Sequence, residues 1–219
     1  MMQNSLLWTL VISLVFSLSS VRADFDDGMV AYELSNFEFA LGEFRLAARH
    51  GEARAQYMLG EMYEHGRGVP KGDATAMRWY RMAAEQGHAK SQYKLGLMHE
   101  KGMGGPVVGR SSASGDGGLG VTAVPTHQRL GLSYAEAVKW YSMAANQGFV
   151  DAQYNLGLMY ASGGGIPEDY TGAYLWWTVA NVYGNEQAGT KLNILKSLMS
   201  ERDIVEAQRL ARDWWEKRR

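Results

Sequence analysis

The chain contains no cysteine, and this absence excludes several kinds of site at once. Without a thiol there is no disulfide bond, no thiolate ligand for zinc, no cysteine nucleophile and no lipidated N-terminal cysteine. Proline is scarce, with 4 residues against 26 glycines, which favours short helices separated by tight glycine turns. Charge of one sign is not in excess either, since the formal net charge is −1, so nothing points to a nucleic-acid partner or an acidic substrate.

The apolar run at residues 6–18 is too short to cross a membrane comfortably. Small residues follow it, and Val21-Arg22-Ala23 then offers the small-x-small pattern of a signal-peptide cleavage site. We therefore predict that residues 1–23 are an export signal cleaved after Ala23. The mature chain is then periplasmic or secreted, with no stable membrane insertion. An uncleaved N-terminal anchor is the alternative.

A repeated unit dominates the rest of the chain. The pattern Gln-Tyr-x-Leu-Gly begins at Gln56, Gln92 and Gln153, so successive copies are 36 and then 61 residues apart. Three tryptophans follow the same two spacings in reverse order: Trp79, Trp140 and Trp176. The period is therefore 36 residues, and one copy carries 25 extra residues. A fixed period of about 20–50 residues is typical of a solenoid.

Helical periodicity divides each repeat into two helices separated by a glycine-rich turn. The predicted fold is all-α, a superhelix of antiparallel helix pairs. Its segments are a degenerate N-terminal repeat or cap at 24–52, repeats at 53–88, 89–149 and 150–185, and C-terminal capping helices at 186–219. Residues 107–131 are predicted to be a flexible insertion in the second repeat, because they have no aromatic side chain to bury.

Local signals refine this prediction at helix ends and at one position inside each repeat. Three serines stand three residues before an acidic residue and are predicted to be helix N-caps: Ser35, Ser133 and Ser200. A glycine in each first helix is predicted to admit a neighbouring helix closely: Gly60, Gly96 and Gly157. In the first repeat we expect an aromatic such as Tyr57 or Tyr63 to fill the adjoining space.

The residues at 53–87 resemble the Sel-like repeat family, a relative of the tetratricopeptide repeats. They carry its pattern A-x-x-x-Y-x-L-G-x-x-Y…G-x-G-V-P…A-x-x-W-Y-x-x-A-A-x-x-G nearly intact, and the pattern recurs at 89–148 and 150–184. The resemblance implies a right-handed α/α solenoid whose first helices line a concave groove that binds protein or peptide. It does not imply a particular partner, because the repeated residues are packing residues.

The resemblance also implies which side chains face the groove. By analogy with tetratricopeptide grooves, positions two, five and nine of each first helix look inward. The predicted partner-binding residues are Arg54, Tyr57 and Glu61 in the first repeat, Lys90, Tyr93 and Leu97 in the second, and Asp151, Tyr154 and Leu158 in the third. The tyrosines recur and fit a packing role equally well, whereas the other six vary and would give a mixed charged and apolar lining.

Several short motifs resemble catalytic or ligand-binding motifs, but their positions are better explained by the repeat. Ser91-x-x-Lys94 matches the S-x-x-K of penicillin-recognising enzymes, but the supporting S-D-N and K-T-G elements are missing. The glycine-rich turns lack the G-K-[ST] of a phosphate loop, and no two of the five histidines have the spacing of H-E-x-x-H. We therefore predict no catalytic residue, no metal site and no cofactor.

Taken together, these patterns predict an exported, non-catalytic protein–protein interaction module that binds a protein or peptide partner in the cell envelope or outside the cell. Two alternatives remain. One is an envelope hydrolase that acts on β-lactams or peptidoglycan, for which the S-x-x-K match makes Ser91 the residue to test. The other is a structural subunit of an envelope assembly.

Overall fold

The computed structural model describes residues 25–103, 126–164 and 166–218, with only the backbone of residues 126–132. Within these ranges all regular secondary structure is helical, which confirms the predicted all-α class. The helices are α1 (residues 25–33), α2 (Phe37–Arg49), α3 (Ala53–His65), α4 (Asp73–Glu85), α5 (Ala89–Glu100), α6 (Thr126–Asn146), α7 (Val150–Ser162), α8 (Tyr170–Val182), α9 (Glu186–Lys196) and α10 (Glu201–Glu216).

The chain divides into two compact units, residues 1–91 and 92–219. In the first unit, α3 packs against both α2 and α4. Where these helices meet, small and large apolar side chains are fully buried. This core includes Ala40, Phe44, Ala55, Leu59 and Met62. The α-helical spacing of these residues is what places them on one face of each helix.

In the second unit, α7 packs against α6 and α8, and α8 also packs against α9 and α10. Ala137, Tyr141 and Leu156 are fully buried in its core. The last helix, α10, lies on α8 through Trp214, whose ring meets that of Trp176 edge-on at 5.9 Å. Arg218 covers the outer face of Trp214 at 4.0 Å and donates to Asn146 Oδ1 at 2.7 Å. These contacts join α10 to both α8 and α6 within the second unit.

The glycine of each first helix meets an aromatic ring, as predicted, but the ring is not the one expected. A Cβ atom at Gly60 would lie under 3.0 Å from the ring of Tyr80. Gly96 meets Tyr141 and Gly157 meets Trp177 in the same way. Each ring therefore comes from the second helix of the same repeat. Tyr57 and Tyr63 were the wrong choice, because both lie on the same helix as Gly60 and cannot cover it.

Two of the three predicted N-caps are wrong. Ser35 has a left-handed backbone with φ of 61°, and its neighbour Asn36 caps α2 by accepting a hydrogen bond from the Phe39 amide at 3.4 Å. Ser133 lies inside α6, where its hydroxyl donates to the carbonyl of His99 and is buried. Ser200 does cap α10, since its Oγ accepts from the Asp203 amide at 3.2 Å.

Helix α6 also corrects one boundary of the predicted insertion at 107–131. It begins at Thr126, so residues 126–131 are helical rather than part of a flexible loop. The remainder of that insertion lies outside the described residues, as does the predicted signal at 1–23. Among the helices of the described ranges, none has both the length and the apolar character needed to span a membrane.

Candidate functional site

The nine predicted groove residues are all at least partly accessible, but they differ in how far they are engaged. The residues at position two, Arg54, Lys90 and Asp151, are exposed. Those at positions five and nine are half-buried. Leu97 packs against the core around Tyr141, and Leu158 packs against the core around Trp177. The two leucines therefore contribute mainly to packing in their own unit. The charged side chains that are exposed to a partner are those at position two.

In the first unit, Arg54, Tyr57 and Lys90 meet around a shallow cavity of about 320 Å³, which we call the Tyr57 pocket. Its floor is apolar and includes Phe25 and Met29 from α1. The Arg54 guanidinium lies over the Phe25 ring, 4.2 Å from its centroid, and its Nε donates to Glu52 Oε1 at 2.8 Å. Lys90 stands in the first turn of α5 and extends into solvent.

His88 completes the wall of the Tyr57 pocket. Its ring packs on Tyr57 with centroids 5.1 Å apart, and its Nδ1 lies 2.9 Å from Ser91 Oγ. Burial lowers the pKa of His88 below its ordinary value of 6.5. The positive charges of Lys90 and Arg54 lower the pKa further, and each outweighs the opposing charge of Glu52. The pocket therefore places two basic side chains, Arg54 and Lys90, beside a histidine whose neutral form is favoured.

Glu61, the third predicted residue of this repeat, belongs to an internal network. Tyr80 donates its hydroxyl proton to Glu61 Oε1 at 3.0 Å and also contacts Glu64 Oε2. The pKa of Tyr80 is raised far above its ordinary value, first by burial and then by these two carboxylates. Tyr57 also bonds Glu61, and burial is again the main cause of its raised pKa. Glu61 thus helps to fix the ring that covers Gly60.

The same turn of α3 brings together a group that the sequence analysis did not consider. Glu61, Glu64 and His65 place one potential ligand atom each within 4.8 Å of one another. The signal in the sequence was Glu-x-x-Glu-His on one helix face, which a search for paired histidines does not find. Two of these residues already accept hydrogen bonds from Tyr80, so a structural role accounts for the carboxylates.

In the second unit, Tyr93, Asp151 and Tyr154 line an open cavity of about 620 Å³, the Tyr154 pocket. Asn155 and the start of α9 at residues 184–187 form the rest of its wall. Its lining is polar, and Asp151 and Glu186 make it acidic. Burial raises the pKa of Tyr93, and the negative charge of Asp151 raises it further. The two pockets use equivalent repeat positions but have opposite charge.

Ser91, the residue that the S-x-x-K match offers to the hydrolase alternative, is fully buried. It is the third residue of α5, and its hydroxyl contacts His88, which immediately precedes that helix. A serine and a histidine at 2.9 Å have the spacing of a nucleophile and its base. Here, however, the contact is local to the end of one helix, and the buried hydroxyl offers no surface to a substrate.

The helix pairs and the accessible side chains on their first helices define a helical-repeat protein that presents varied residues on a repeated frame. The sequence model of the Sel1 repeat matches residues 53–88, 89–111, 130–149 and 150–180, which together make up half of the chain. The chain therefore belongs to the Sel1 repeat family. Proteins of this family typically serve as scaffolds for protein–protein interactions.

Two solved structures are similar to this chain. A Sel1 repeat protein from Oxalobacter formigenes is 29% identical with a TM-score of 0.62, over 78% of this chain and 60% of that one. The protein c5321, a protective antigen of uropathogenic Escherichia coli with an SLR fold, is 24% identical with a TM-score of 0.46. That match covers 93% of this chain and 48% of the antigen. This chain thus spans only about half to three fifths of either relative. No curated protein matches it significantly.

Proposed function

We propose that this protein is an exported, non-catalytic interaction module that binds a protein or peptide partner on the surface of its first helices. One observation carries the proposal. The residues that pack the repeats recur in register, whereas the exposed residues at position two change from Arg54 and Lys90 to Asp151. A repeat frame requires no such change, since these side chains take no part in the cores. Partner selection gives a reason for it.

The residues that line the two pockets also support this proposal. The Tyr57 pocket and the Tyr154 pocket are both lined by position-two and position-five residues of first helices. Aromatic rings beside charged side chains are typical of the residues that contribute most to protein–protein binding. We expect a modest interface of about 1,200 Å² or less, as is typical of transient complexes.

Site-specific photo-crosslinking tests this proposal in the living cell. A photoreactive amino acid is placed at residue 90 or 151 on first helices, and at residue 81 or 139 on second helices as matched controls. All four residues carry charged side chains in the native chain, and Arg81 and Lys139 are exposed on α4 and α6. We expect a discrete adduct from the first-helix sites. Adducts of equal yield from all four sites, or from none, contradict the proposal.

The export part of the proposal rests on the apolar run at residues 6–18 and the small residues that follow it. Cell fractionation and the mass of the purified chain test it directly. We expect the chain outside the cytoplasm, with Asp24 as its first residue. A chain retained in the membrane with residues 1–23 intact would favour the anchor, and a cytoplasmic chain would refute export while leaving the binding surface to be judged by crosslinking.

A further inference from the structure

The Tyr57 pocket has the dimensions and lining of a receptor for one bulky apolar side chain. Its volume of about 320 Å³ lies at the lower end of the range for small-molecule sites, about 300–1,000 Å³. Apolar surface from Phe25, Met29 and Tyr57 predominates in its lining. Such surface gains free energy when a partner excludes water from it.

The rim of this pocket adds a charge requirement. Lys90 is exposed in the first turn of α5 and has no ion-pair partner among the described residues. Arg54 is paired with Glu52, yet its side chain remains 48% exposed. Arg54 and Lys90 are both basic, and no acidic side chain is among the described residues that line this pocket. A ligand with negative charge is therefore favoured at the rim.

The wall of the pocket is held in place before any partner arrives. Tyr57 packs on Tyr80 with ring centroids 5.7 Å apart and on His88 at 5.1 Å. Tyr80 is fixed by the two carboxylates on α3, and His88 is fixed by Ser91. Binding here requires little ordering of the wall, and a preorganised site gains affinity for that reason.

We propose that the Tyr57 pocket binds a segment of a partner protein in which a bulky apolar side chain is flanked by aspartate or glutamate. The apolar side chain enters between Met29 and Tyr57, and the flanking carboxylates meet Lys90 and Arg54. This inference deepens the proposed function and rests on it. It also distinguishes the two pockets, since the Tyr154 pocket, with Asp151 and Glu186, carries the opposite charge.

The test is a random peptide display library panned against the whole chain. We expect enriched peptides to share an aromatic or long aliphatic residue next to acidic residues. An enriched peptide is then synthesised with a fluorescent label, and its affinity is measured by anisotropy at low and high salt. The affinity is expected to fall as salt rises, because the contacts at the rim are exposed.

Two variants are compared with the native chain. Lys90→Glu reverses the rim charge and leaves the fold intact, since an acidic residue is favoured in the first turn of a helix. Arg81→Glu makes the same change of net charge on exposed α4. We expect Lys90→Glu to weaken binding at least about tenfold, because an attraction becomes a repulsion. Arg81→Glu should change it less than about twofold. Met29→Ala tests the apolar floor and should also weaken binding, with circular dichroism to confirm its helix content.

Each result decides the matter. Enrichment of basic or uncharged peptides, or equal effects of Lys90→Glu and Arg81→Glu on the affinity, would overturn this inference. Failure of the library while crosslinks still form at residue 90 would overturn it and leave the proposed function standing. Failure of both the library and the crosslinking would overturn this inference and the proposed function together.

Discussion

Replacing Gly60 with alanine tests the contact on which the repeat frame depends. A methyl group at this position would lie under 3.0 Å from ring carbons of Tyr80. The ring has no room to retreat, because Tyr80 is fully buried and its hydroxyl bonds Glu61 and Glu64. The added atom must therefore displace either the ring or helix α4.

The size of the effect follows from two opposing terms. Alanine is favoured over glycine inside a helix by about 1 kcal/mol. Overpacking a filled core costs about 1–3 kcal/mol, and the upper end applies here because the ring is fixed at both ends. We therefore expect Gly60→Ala to lower the free energy of unfolding by about 2 kcal/mol. For a chain of this size, that corresponds to a decrease of about 4–8 °C in Tm.

Gly42→Ala is the matched control. Gly42 is exposed in the middle of α2, and a Cβ atom there would meet nothing within 4 Å. This variant gains the helix propensity without the clash, so it should raise the free energy of unfolding by about 1 kcal/mol. Urea unfolding followed by circular dichroism measures both. A Gly60→Ala chain as stable as the native one, or a Gly42→Ala chain equally destabilised, would refute the reasoning.

Three further predictions concern the helix ends and the hydrolase alternative. Because the pKa of His88 is lowered on folding, the unfolded chain binds more protons below pH about 6.5, so stability should fall as the pH falls from about 7 to 5. His88→Gln should reduce this dependence in urea titrations at several pH values, and an unchanged profile would contradict it. Ser200→Ala removes the cap of α10 and should cost about 1 kcal/mol by the same measurement, whereas no loss would exclude the cap. The native chain should not hydrolyse nitrocefin; turnover that disappears in Ser91→Ala would restore the hydrolase alternative.

The repeat frame could be predicted because its signals are local and recur. Each repeat carries the same apolar spacing and the same closing glycine, so helices such as α3 and α7 were found from their patterns. Ser200 was also predictable, because an N-cap acts within one turn of chain. Ser133 carries the same signal and failed. Its helix continues through it, and its hydroxyl is satisfied by the His99 carbonyl on another helix.

The partner of Gly60 shows a different limit. The sequence indicated that something large must lie against the glycine, but it did not indicate which ring. Tyr57 and Tyr63 are close in sequence, whereas Tyr80 is 20 residues away and reaches Gly60 because α4 packs antiparallel to α3. Contacts between two helices depend on how each helix is rotated about its axis and on the distance between the axes. The apolar pattern of one helix predicts neither quantity.

The sequence alone determined that this protein is a helical repeat, since each 36-residue period carries the apolar spacing of two helices separated by a glycine-rich turn. Only the tertiary structure decided which accessible residues act together. Arg54 and Lys90 are 36 residues apart, and they share a pocket with Phe25 and Met29 because helix packing brings their side chains to one surface. Two charged side chains act on the same ligand only when they lie close together in space, and the repeat period along the chain does not give that distance.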